Sequence, residues 1–159
     1  MDILDKTVGG GADSVTSDDL ILGELSTLLG YFLRRAEVFA FQSFSAHLSA
    51  DRISPGQLGV LLLVSANPGT NQTRIGKTIG IDRSTLVTII DTMERRSLIR
   101  REPSPTDRRS YALFLSEGGK RFLRDVRPRL SIHEAEIARN LSPSELATLK
   151  DLLRRIVSP

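Results

Sequence analysis

Apolar residues recur every three or four positions through most of this chain, and the interruptions of that rhythm mark its elements. Leu22, Leu25, Leu29, Phe32, Ala36, Phe39 and Ser43 keep helical spacing, which predicts a long helix from Asp18 to about Ser49. Leu28, Leu33, Phe41 and Phe44 place further apolar groups on its other faces. A helix apolar on more than one face needs more than one packing partner, and in a chain this short a second copy is the expected one. Residues 1–17 are rich in Gly and Asp and are expected to be a flexible arm.

Ser54-Pro55-Gly56-Gln57 has the residues of a capping box with Pro at the first helical position, and Ile53 and Leu58 stand where a hydrophobic staple places them. The apolar run from Leu58 to Val64 follows, and Asn67-Pro68-Gly69 stops it. A short helix is predicted from Asn71 to near Gly80, and a longer one, capped by Asp82, from Arg83 to Arg96. The tight connection through Ile79-Gly80-Ile81 is helix-turn-helix spacing. The rhythm then changes. Leu98 to Arg101 and Ser110 to Leu115 read as two strands, and residues 102–109, with Pro103 and Pro105, as the loop between them. Ser116 is expected to cap a long helix through Asn140, kinked at Pro128. Ser142-Pro143-Ser144-Glu145 is a second capping box with Leu141 and Leu146 as its staple. A last helix with the stripe Leu146, Leu149, Leu153 and Ile156 runs to about Val157.

The expected architecture is mostly α with a small two-stranded β-wing. A winged helix-turn-helix lobe over residues 51–116 lies between an N-terminal dimerisation helix over 18–50 and C-terminal dimerisation helices over 117–159. With 40% hydrophobic residues the chain can build a core, and with no Trp and 5% aromatics that core must rest on Leu, Ile and Val.

Charge sharpens the picture. Residues 1–70 carry four basic and eight acidic side chains, whereas residues 71–110 carry nine basic and five acidic. A positive middle segment suits a polyanion. The second helix of a helix-turn-helix reads base edges in the major groove with its N-terminal residues, here Arg83, Ser84, Thr85 and Thr88. Leu86, Ile89, Ile90 and Met93 have core spacing on its opposite face. Arg108 and Arg109 at the hairpin tip suit a narrow minor groove, and Arg74, Lys77, Arg100 and Arg101 are candidate phosphate contacts.

Residues 54–123 resemble the winged-helix core of the multiple-antibiotic-resistance regulator (MarR) family. The stretches that carry the resemblance are 75–85, 93–101 and Asp107-Arg108-Arg109-Ser110, with residues 115–119 resembling the family's lead into its fifth helix. With the flanking helices it covers about residues 20–157. It implies a homodimer with interlocked first and last helices and a pseudo-palindromic double-stranded operator. It further implies a wing ordered by Asp107, with Arg108 or Arg109 entering the minor groove. The commoner family mode is repression relieved by a small effector, aromatic in many members and an acyl-coenzyme A thioester in some. Three features depart from the pattern. Ser97 stands where a Gly is usual after the reading helix, so that turn is expected to differ or to be strained. Thr88 and Thr92 replace common basic residues. The absence of Cys excludes thiol oxidation.

An effector site is expected between the first helix and the lobe, with Arg34, Arg35, Phe39, Phe44 and His47 as its first-helix lining. The alternative is a winged-helix protein with constitutive DNA binding or a protein-interaction role and no effector. No catalytic residues, cofactor or metal site are expected. The only histidines, His47 and His133, lie on separate predicted helices, and Gly9-Gly10-Gly11 lacks the Lys and the strand-to-helix context of a phosphate loop. The acidic first residues do not read as a secretory leader and no run is long enough to span a membrane, so the expected location is the cytoplasm.

Overall fold

The computed structural model describes residues 20–104 and 110–158; the arm expected over residues 1–17 lies outside them. The chain divides into two compact units, residues 1–35 and 36–159. In the first, a 3₁₀ turn over Gly23–Thr27 precedes helix α1, Leu29–Leu48. The predicted helix from Asp18 therefore begins eleven residues late. Gly23 takes φ +52° and Leu28 is extended, so the backbone leaves the helical region at both ends of the turn. Ser26 and Thr27 donate their hydroxyls to the carbonyls of Gly23 and Glu24, which closes the turn locally. A 3₁₀ turn keeps neighbours three residues apart, so the apolar spacing runs through the break.

The second unit holds the remainder of α1, α2 (Pro55–Ala66), α3 (Gln72–Ile79), α4 (Arg83–Arg95), strands β1 (Ile99–Pro103) and β2 (Tyr111–Leu115), α5 (Glu117–Ile137) and α6 (Pro143–Val157). Helix α2 is central: it packs on α3, α4, α5 and β2. Its Ser54 cap accepts from the Gln57 N–H while the Gln57 side chain accepts from the Ser54 N–H. Ile53 and Leu58 of the staple are both buried. Val60, Leu61 and Val64 of α2, Ile75 of α3, Ile90 and Met93 of α4, and Ile99 and Leu113 of the strands form one core.

The strands pair antiparallel, with Ile99 opposite Leu115, Arg101 opposite Leu113 and Pro103 opposite Tyr111. Pro103 thus falls inside β1, at its last position, where a missing donor costs little. The ribbon's second edge is fastened to the loop after α2: Leu113 N–H donates to Thr70 O at 2.8 Å and Gly69 N–H to Leu113 O at 2.9 Å.

Between α4 and β1 the chain reverses at Ser97, which holds φ +54°. The left-handed backbone expected there is present without the glycine that favours it. Ser116 holds this turn from the α5 side: its Oγ donates to the Ser97 carbonyl and accepts from the Gly119 N–H. A Cβ on Gly118 or Gly119 would run into the carbonyl oxygens of Ser97 and Leu98, so the two glycines let α5 start against the turn. Helix α5 continues through the exposed Pro128 and ends at Ile137, three residues before the expected Asn140.

Candidate nucleic-acid interface

Helices α3 and α4 are built by their caps. Asn71 Oδ1 accepts from Arg74 N–H at 3.0 Å and starts α3. Gly80 ends it with φ +66°, the left-handed conformation that a chain reversal of this kind asks of its residue. Asp82 then starts α4 by accepting from Thr85 N–H at 3.0 Å. Hydrogen bonds from the Ser84 hydroxyl and from the Thr85 hydroxyl and N–H hold the Asp82 carboxyl well below the usual carboxylate range. A fixed negative charge at the positive end of α4 also suits the helix dipole.

Leu86, Ile90 and Met93 are buried and Ile89 is partly buried against the core, so the greasy side of α4 is turned inward. Arg83, Ser84, Thr85 and Thr88 are all exposed on the other side. Their donor economy differs. Ser84 donates to Asp82 at 2.6 Å and Thr88 to the Ser84 carbonyl at 3.2 Å, so in this arrangement both hydroxyls present acceptors outward. The Arg83 side chain makes no hydrogen bond or ion pair among the described residues and carries the free donors of this face.

A groove of about 660 Å³ opens along this face between the starts of α3 and α4 and the loop end of the ribbon at Ser110 and Tyr111. Lys77 and Arg83 line it, together with Asn71, Gln72, Thr73 and Tyr111. Those four residues were missed from sequence; the polar first turn of α3 and an exposed aromatic at the start of β2 are the signals that point to them. Arg74 is exposed on α3 but does not line the groove.

The wing-base arginines are differently placed. Arg100 is half exposed, pairs with Glu102 and lies over the Phe114 ring, 4.7 Å from its centre. Arg101 turns inward: it bonds Glu94 at 2.8 Å and Asp91 through its other terminal nitrogen. Without DNA its guanidinium is therefore shared between two carboxylates of α4. Asp107, Arg108 and Arg109 lie outside the described residues.

The first-helix residues expected at an effector site are distributed as follows. Arg34 and Arg35 belong to the first unit, where Arg35 donates to the Tyr31 hydroxyl and lies over its ring. In the second unit Phe44 is 6% exposed, a member of the core with its ring edge-on to His133. Phe39 is exposed, with the Arg139 guanidinium 5.6 Å from its ring centre. His47 Nε2 lies 2.9 Å from Glu136, which also accepts from the Ser43 hydroxyl. Ser43 Oγ in turn meets His133 Nδ1 at 2.9 Å. With the Ser43 proton committed to Glu136, His133 must carry its proton on Nδ1. These polar groups join α1 to α5.

Among the described residues no three or more His, Cys, Asp or Glu side chains group as metal ligands, and no described helix is long and apolar enough to cross a membrane.

Comparison with known proteins agrees with this geometry. Residues 53–111 match the MarR family. A putative transcriptional regulatory protein for the hcr operon of Thauera aromatica is 32% identical over 139 residues, 87% of this chain and 84% of that protein. The transcriptional repressor CouR bound to a 23-mer DNA duplex is 38% identical, with a TM-score of 0.83 over 89% of this chain and all of the other. CouR bound to p-coumaroyl-CoA is 36% identical, with a TM-score of 0.77 over 87% of this chain and 97% of the other. A helix-turn-helix with an outward polar reading face, a two-stranded wing at its side and relatives of this identity over nearly the whole chain place the protein in the MarR family of transcriptional regulators.

Proposed function

We propose that the protein is a homodimeric repressor that binds a pseudo-palindromic double-stranded operator in the cytoplasm and is released by a small anionic effector, an aromatic acid or its acyl-coenzyme A thioester. The observation that carries the reading is the face of α4, where Arg83 bonds none of the described residues and stands beside acceptor hydroxyls while the opposite side is core. Likeness to a repressor solved on DNA supports the operator, and likeness to the same repressor solved with p-coumaroyl-CoA supports the effector class. In this reading Arg83 pairs with a guanine edge and Lys77 and Arg74 neutralise phosphates. Arg108 and Arg109 enter the minor groove and Asp107 orders the wing. Arg34 and Arg35 are the candidate groups for the effector's anionic part.

Dimerisation follows from α6. It is amphipathic yet has no buried residue, and Leu149, Leu152, Leu153 and Ile156 are 37–51% exposed. A second copy would cover them. A catalytic role is not part of the proposal. Ser43, whose hydroxyl bonds His133 and Glu136, is 4% exposed and already donates to Glu136.

Selection of bound duplexes from a random pool at near-physiological salt tests the reading. A two-fold motif with half-sites about one helical turn apart is expected. Bound duplex should then be released by aromatic acyl-coenzyme A thioesters at micromolar levels. Enrichment of no motif would overturn operator recognition. A motif with no release by any aromatic acid or thioester would leave a constitutive binder.

A further inference from the structure

We infer that Arg101 is a positioning residue for DNA recognition: it fixes where the wing stands relative to the reading helix. The inference rests on the operator-binding reading above and adds a regulator of wing geometry to it.

A two-stranded ribbon has no neighbours to hold it flat and is marginal in water on its own, so its direction is set by what it touches on the body of the protein. Here the ribbon is held on two sides at one level. Leu113 on β2 bonds the loop after α2 through Thr70 and Gly69. Its partner across the ladder, Arg101 on β1, reaches α4. Asp91 and Glu94 lie three residues apart, hence on one face of the helix, and present one oxygen to each terminal nitrogen of the guanidinium. Two charge-assisted bonds in a planar fork fix direction as well as distance, which a single ammonium could not do. The Arg101 side chain is 22% exposed, against 51% for the neighbouring Arg100, so its bonds are the better shielded from water. The carboxylates outnumber the guanidinium, and pulling Arg101 away to a phosphate would leave two negative charges beside the DNA backbone. Arg101 therefore acts through the wing and not on the DNA.

The test is a mutant cycle on the full chain with a duplex from the selection, read by anisotropy, with folding checked by circular dichroism. Four proteins are compared: wild type, Arg101→Gln, Arg108→Ala with Arg109→Ala, and the combination. In wild type the wing pair is expected to cost about tenfold or more in affinity, and in Arg101→Gln that cost should shrink to about twofold or less. Asp91→Asn with Glu94→Gln removes the fork from the other side and should shrink it equally, although its charge change alone would favour DNA. That double variant decides the matter if Arg101→Gln does not fold. Arg101→Lys should recover only part of the wing's contribution. An equal wing cost in all backgrounds would overturn the inference, since a direct phosphate contact or a purely structural role both predict additivity. Failure of wild type to bind any duplex would instead overturn the operator reading itself.

Discussion

Asp82 does two jobs with one carboxylate. It caps α4 and, by accepting the hydrogen bond of the Ser84 hydroxyl, leaves that hydroxyl to act as an acceptor on the outward face. A similar economy governs Glu136, which accepts from Ser43 and His47 and is thereby held below its ordinary value of 4.5, with Ser43 the larger cause. Because the folded-state pKa lies below the unfolded one, the network's stabilisation is complete above 4.5 and is lost as pH falls through the folded value. Glu136→Gln should therefore lower stability to urea near pH 7, and the gap from wild type should close as the solution is taken below that range. A gap that stayed constant into acid would show that charge on Glu136 contributes nothing. The residues of the reading face were legible in sequence because a cap and a helical period fix which side of α4 each occupies. The partners of Arg101 were not. An arginine on a strand faces one way or the other by a single residue of register, and only the packed ribbon settles which.

At the scale of elements, the caps carried most of the information. Both capping boxes, the Asp82 cap and the Gly80 turn fall where the residue types require them. The start of α1 did not, because apolar spacing of three cannot distinguish a 3₁₀ turn from the first turns of an α-helix. The turn at Ser97 is the mismatch with a measurable cost. Its φ of +54° burdens a residue with a Cβ, while Ser116, Gly118 and Gly119 hold the backbone there from α5. Ser97→Gly is expected to stabilise the protein by about 0.5–1 kcal/mol in urea unfolding, the strain relieved exceeding the added chain entropy. Destabilisation would mean that Ser97 contributes bonds that outweigh its strain.

For the molecule as a whole, the proposed interface on the apolar face of α6 would tie DNA recognition to assembly. A two-fold site is read with full affinity only if both reading helices arrive together, the second binding as an intramolecular event. Leu153→Lys with Ile156→Lys should convert the protein to monomers in sedimentation and weaken operator binding by about a hundredfold or more, while leaving the melting of the winged lobe nearly unchanged. Retention of dimers would place the interface elsewhere.

The sequence by itself determined the order of elements, the helix-turn-helix, the wing strands to within two residues and the outward face of α4. Each of these follows from local rules: period, caps and turn residues act over a few positions. The tertiary structure alone decided that Arg101 is bound to Asp91 and Glu94, that Phe44 is core and that Ser43, His47, His133 and Glu136 form one network. Those contacts join residues up to 93 positions apart in the chain. No spacing rule reaches that far, because which side chains meet depends on how whole elements pack.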